Sequence, residues 1–164
     1  MLNVFITNLG KYNEGELVGE WVELPASEEE LDAVYERIGI DDEYEEIFIT
    51  DYESDIDGVP VDEYANIDEL NELADDFEAL DDYERETVKA IIEATGYDVR
   101  ECMDMRDDVT FYYDMNIGDV AYELITECYD LPEIAQRYFD YDAFARDLSF
   151  DGYTETSNGV VCIY

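Results

Sequence analysis

The stretch DELNELADDFEALDDYERE (residues 68–86) holds ten Asp or Glu among nineteen positions, with Arg85 as its one base. Carboxylates this dense could do three kinds of chemistry. A pair could serve as acid and nucleophile or base in glycoside hydrolysis. A loop of them could hold a hard cation such as calcium. A long row could present negative charge to a cationic partner.

The first two readings find little support. The chain has forty-seven acidic residues, so some pair will always sit at a catalytic spacing and the spacing carries no information. Histidine is absent, which removes the commonest general base and the Ser-His and Cys-His nucleophile pairs. No Gly-rich phosphate loop is present. We therefore expect no enzyme activity and no cofactor. The best cation loop is ESDIDGVPVDEY (53–64), with Gly58 at the sixth place of an EF-hand register and Asp55 and Asp57 in fitting places. It begins with Glu53, contains Pro60 and ends on Tyr64 where a bidentate Glu is needed, so it is rejected as an EF-hand. Loose cation binding by so anionic a surface is still expected. Cys102, Cys128 and Cys162 form no CxxC pair and read as reduced thiols.

That leaves the charge itself. The 164 residues carry eight bases and a formal charge of −39. Residues 1–61 hold eighteen acids and two bases, 62–103 fifteen and three, 104–164 fourteen and three. The charge thus runs along the whole molecule and is not an acidic tail. Disorder is not expected, because 47% of residues are apolar, 14% are aromatic, and they recur with regular periods. The N-terminus lacks the pattern of a signal peptide, and no transmembrane run is visible, so a cytoplasmic protein without membrane partners is expected.

The elements that must carry these acids are legible in outline. Residues 2–8, 15–25 and 45–53 read as strands, with a helix over 27–39 opened by a Ser27/Glu30 capping box and stopped at Gly39. DIDGVPVDEY (55–64) is turn-rich and marks a boundary. A helix from Asn66 buries Ile67, Leu70, Leu73, Ala74 and Phe77; a second, from Asp81 or Asp82 to Gly96, buries Val88, Ile91, Ile92 and Thr95. A strand over 106–114, a helix over 117–130, helical pieces over 132–139 and 140–148, and a strand over 158–164 follow. The fold class is α+β, with domains over 1–61, 62–103 and 104–164.

Geometry favours a linear arrangement. Duplex DNA carries one charge per ~1.7 Å of axis, so thirty-nine charges would cover roughly 65 Å. A compact ball of this length would be about 40 Å across. The charge suits an elongated body, three small domains in a row. In the helix from Asn66, six acids fall within about 16 Å of axis, one per ~2.7 Å. A merely solvated helix face mixes signs for i,i+4 pairing, and here there is almost no Lys or Arg to pair with. A surface imitating a polyanion fits; binding DNA itself does not, since phosphate would be repelled. An acidic coat for life in brine, or a cation-binding protein without mimicry, is the standing alternative.

KYNEGELVGEWVELP (11–25) and YFDYDAFARDLSFDG (138–152) resemble characteristic stretches of the ArdA antirestriction proteins, as do the length and acidity. The resemblance covers essentially the whole chain. It implies a DNA mimic carried on mobile genetic elements, an elongated homodimer of three-domain chains that occupies the DNA-binding groove of type I restriction-modification enzymes. The implied mechanism is competitive occupancy, with carboxylates standing where phosphates would be. The acids expected at that contact are Glu43, Glu45, Glu46, Asp51 and Glu53, then Asp68, Glu72, Asp75, Asp76, Glu78 and Asp82, then Asp104, Asp107, Asp108 and Asp114. VTFYY (109–113) and GVVCIY (159–164) are the least acidic long runs of the last third, so self-association is expected there, with Val109, Phe111 and Tyr113 either at the dimer interface or in that domain's core. Trp21, Gly15 and Gly19 are expected in core and turn roles.

Overall fold

A computed structural model describes all residues, Met1–Tyr164, and has the expected α+β class: eight α-helices and two three-stranded antiparallel sheets. The chain divides into two compact units, Met1–Asp81 and Asp82–Tyr164. The boundaries expected near 61 and 103 lie inside these units.

The first unit contains β1 (Leu2–Asn8), α1 (Leu9–Asn13), β2 (Gly19–Leu24), α2 (Glu28–Ile38), β3 (Ile47–Ser54) and α3 (Ile67–Ala79). Its sheet has the order β2-β1-β3. Strand side chains alternate between faces, and β1 does so plainly: Leu2, Val4 and Ile6 are buried, while Asn3 and Phe5 are only half-buried. The buried set meets Leu31, Val34 and Ile38 of α2 and Ile67, Leu70 and Ala74 of α3 in one cluster. Each such side chain contributes roughly 1.5–3 kcal/mol when fully buried. The expected capping box of α2 is present, and Gly39 ends the helix at φ +76°. Asn8 at the end of β1 is fully buried. Its amide donates to the carbonyls of Ile38 and Gly39 at 3.2 and 3.0 Å, and its side-chain oxygen accepts from the Lys11 N–H, which starts α1.

The second unit contains α4 (Asp82–Thr95), α5 (Val99–Met105), β4 (Val109–Tyr113), α6 (Ile117–Glu123), α7 (Glu133–Arg137), α8 (Tyr141–Leu148), β5 (Tyr153–Thr156) and β6 (Gly159–Ile163). Its sheet has the order β4-β6-β5. On one face, Val160 packs with Val120 and Ala121 of α6 and Ala145 and Leu148 of α8. On the other, Phe111 of β4 lies against Tyr83 of α4, with ring centroids 5.8 Å apart.

Several expected elements are shorter or different. The strand expected over 106–114 begins only at Val109, after a 3-10 turn at Arg106–Asp108. The helix expected over 117–130 is α-helical to Glu123 and then widens to a π turn over Leu124–Cys128, where the Tyr129 N–H donates to the Leu124 carbonyl. The strand expected over 15–25 begins at Gly19, and Gly15 is a turn residue at φ +91°. Elements α1, α5 and β5 were not anticipated. All three cysteines are free; Cys102 and Cys162 are buried and Cys128 is exposed. No helix is long and apolar enough to cross a membrane.

Candidate functional site

The most acidic helix is α3. Asn66 caps it, its side chain accepting from the Asp68 N–H at 2.8 Å. The stripe Ile67, Leu70, Leu73, Ala74 and Phe77 is buried. Asn71 then fixes the helix to the loop before α2: its amide oxygen accepts from the Ala26 N–H at 2.6 Å, and its amide nitrogen donates to the Ala26 carbonyl at 3.0 Å. With one face held, the other must point outward, and Asp68, Glu69, Glu72, Asp75, Asp76 and Glu78 are all exposed. An open depression of about 640 Å³ runs beside them, walled by Asp68, Glu69, Glu72 and Asp75 and, opposite, by Pro25, Ala26 and Ser27.

This arrangement works against the helix. Glu72 has like charges at i−4, i−3, i+3 and i+4, namely Asp68, Glu69, Asp75 and Asp76. Each such pair destabilises a helix by roughly 0.2–0.5 kcal/mol. Acids near the C-terminus also oppose the helix dipole, and α3 has no base in its last turn. A helix selected only for stability would carry lysines here.

The other expected acids of the first unit are exposed too. Glu43, Glu45 and Glu46 sit on the loop between α2 and β3. Asp41 anchors that loop by accepting from the Glu43 and Tyr44 N–H groups at 2.8 and 3.0 Å, which holds its carboxyl below the usual carboxylate range. Asp51 and Glu53 are on β3. A bulge there matches Phe5 with Asp51 but Ile6 with Ile49, leaving Thr50 as the extra residue.

In the second unit, Asp82, Asp104, Asp107, Asp108 and Asp114 are exposed. Asp82 pairs with Arg85 at 3.5 Å, and Asp107 lies 4.0 Å from Arg106, whose Nε also meets Glu84 at 3.3 Å. Asp114 is held at φ +56°, its N–H donating to the Asn158 carbonyl at 2.9 Å. It lines a depression of about 680 Å³ with Asp119, Glu123 and Glu127. Those last three were not singled out from the sequence, although their i,i+4,i+8 spacing without an intervening base was a usable signal. Few of the charges are neutralised internally. Glu43, Glu45, Glu46, Asp51, Glu53, Asp68, Glu72, Asp75, Asp76, Asp104, Asp108 and Asp114 form no ion pair. No cluster of acids, cysteines or both is arranged to hold a metal ion.

The apolar residues of β4 divide. Val109, Phe111 and Tyr113 share one face of the strand, with Phe111 buried, Val109 half-buried and Tyr113 58% exposed. The Phe111 carbonyl accepts from the Tyr83 hydroxyl at 2.9 Å. Trp21 departs from its expected core role: it is 43% exposed, because it lies on the face of the first sheet opposite the apolar cluster.

The chain matches none of the curated protein sequences compared with it. A sequence model of the antirestriction protein (ArdA) family matches residues 4–162, nearly the full chain. Few of the exposed acids in either unit have internal counterions, and the chain belongs to the ArdA antirestriction family.

Proposed function

We propose that this protein inhibits type I restriction-modification enzymes by occupying their DNA-binding groove as a stand-in for duplex DNA. The observation that carries the reading is α3: six exposed carboxylates, no base on the helix, and a geometry that lowers the helix's own stability. Charge kept at such an expense is explained by a cationic partner, since complementary fields speed encounter and the partner's Lys and Arg replace the missing counterions. In the first unit the exposed acids of the loop before β3 and of β3 itself add to this charge, and in the second unit those of the 3-10 turn and of the Asp114 depression carry charge of the same sign. Self-association is assigned to β4, an edge strand, through Tyr113 and Val109, with Phe111 supporting them from within the core.

The test is competition. The protein at equimolar concentration should displace a labelled duplex from a purified type I methyltransferase, with inhibition weakening as salt rises. No displacement at low salt would sink the proposal, and folding that requires molar salt would favour an acidic coat for brine instead.

A further inference from the structure

We propose that the open face of the first sheet carries a receptor for an arginine side chain on a basic protein segment. Three cross-strand rows build it. Trp21, Phe5 and Asp51 lie abreast on β2, β1 and β3; Gly19, Thr7 and Phe48 form the next row; Glu23, Asn3 and Glu53 form the row on the other side. Aromatic rings wall the site. Phe5 and Trp21 meet edge to face at 5.4 Å, and Tyr12 and Phe48 do the same at 5.0 Å. In a pair so arranged, one ring keeps both of its faces clear of its neighbour.

The space between these rings is about 480 Å³, lined also by Leu17, Thr50, Asp51 and Glu63. It falls in the range of small-ligand sites. Gly19 lets the Phe5 ring lie close against β2, because a Cβ there would come within 2.6 Å of that ring and 2.8 Å of the Thr7 hydroxyl. Apolar surface here is exposed and not buried in the core: Trp21, Tyr12 and Leu17 are 43, 50 and 68% exposed.

Charge selects the occupant. No base lines the cup, and neither Asp51 nor Glu63 has an ion-pair partner. The two bases of this unit are engaged elsewhere: Arg37 grips Glu20 at 2.7 and 2.9 Å, and Lys11 lies over the Tyr44 ring. One Asp51 oxygen accepts from the Tyr52 N–H, leaving the other for a ligand. A planar guanidinium can lay its face on an aromatic ring while its edge donates to carboxylates, whereas an ammonium is a compact, strongly hydrated charge. The cup therefore discriminates between two cations that the acidic surface alone would treat alike. This goes beyond duplex mimicry, which asks only for charge.

Trp21 is the only tryptophan, so its emission reports the cup directly. The full chain is titrated with an Arg-Gly repeat peptide and with a Lys-Gly peptide of equal length. The expected result is a saturable emission change, with the arginine peptide binding roughly three- to fivefold tighter. Asp51→Asn with Glu63→Gln should abolish that preference. Asp75→Asn with Asp76→Asn, which removes two charges from α3, should leave it intact. Equal affinity for the two peptides, binding without a change in Trp21 emission, or equal loss of preference in both variants would overturn the proposal. Both variants alter exposed acids outside the core, and the wild-type comparison decides without them. No restriction enzyme is used, so failure here is distinct from failure in duplex competition.

Discussion

The central strands of the two sheets differ in a way that organises the molecule. In β1 burial alternates up to Ile6, and one face of its sheet is left to Trp21, Phe5 and the acids of β3. In β6, Gly159 through Cys162 are all buried, because α6 and α8 cover one face while α4 covers the other. A sheet covered on both faces has little room for surface charge, so the acids of the second unit sit on helices and turns, apart from Glu155 on the edge strand β5. A sheet covered once can display acids and aromatic rings on the strands themselves. The two units thus present negative charge by different means: the first also uses the open face of its sheet, the second relies mainly on helices and turns.

The largest expected effect tests this contrast directly. Val160→Asp and Val161→Asp should each unfold the second unit, since an unpaired buried charge costs on the order of 3–5 kcal/mol or more. In β1, from Leu2 to Ile6, only alternate positions should behave so. Val4→Asp should unfold the first unit, while Asn3→Lys, placed between Glu23 and Glu53, should change stability by less than about 0.5 kcal/mol or raise it. Denaturation followed by circular dichroism distinguishes these outcomes, and tolerance of Val161→Asp would break the comparison.

Edges come next. In the first sheet the edge strand β3 is partly occupied, its Ile49 N–H donating to the Glu63 carbonyl at 2.8 Å. In the second, β4 offers the exposed Tyr113. Tyr113→Asp should weaken the proposed self-association by an order of magnitude or more in sedimentation, as loss of an aromatic anchor does, and leave the fold intact. Phe111→Asp should unfold the unit and so says nothing about the interface.

Charge on α3 should act on function and stability in opposite directions. Neutralising Glu72, Asp75 and Asp76 together should weaken duplex competition roughly tenfold, about half a kcal/mol for each exposed ion pair with the partner. The same variant should melt at a higher temperature, because the i,i+3 and i,i+4 repulsions are gone. A lower melting temperature would remove the reason for calling this helix's charge functional.

The smallest effect concerns pH. In the second unit, Lys89 at 2.7 Å and the Asn158 amide at 2.8 Å hold the Glu86 carboxyl below its usual range. A depressed folded-state pKa stabilises above the unfolded value and stops doing so as pH falls through the folded value. Glu86→Gln should therefore lower stability at neutral pH by less than about 1 kcal/mol. The deficit should fade on acidification through the carboxylate range. A deficit that stays constant with pH would mean packing and not charge.

Local signals made much of this visible in advance. The Ser27/Glu30 capping box, the stop at Gly39 and the buried stripe of α3 follow from short-range rules, and they lie where expected. All fifteen carboxylates named from the sequence are exposed, since an acid off the apolar stripe has nowhere else to go. Element α5 went unread although the same rules mark it: Asp98 caps it, and Val99, Cys102 and Met103 recur at helical spacing. β5 has no such marks, because YTET has little apolar content, and its strand forms by pairing with the buried β6.

The amino-acid order by itself determined the density of negative charge, the scarcity of counterions and the helix periods that push acids outward, because these depend on neighbours within a turn. Only the tertiary structure decided which sheet faces are covered. Coverage joins elements far apart in the chain, and so Trp21, with strand neighbours that read as core, stands exposed in a cup with Phe5 and Asp51, while Phe111, an interface candidate from its sequence, lies buried under Tyr83.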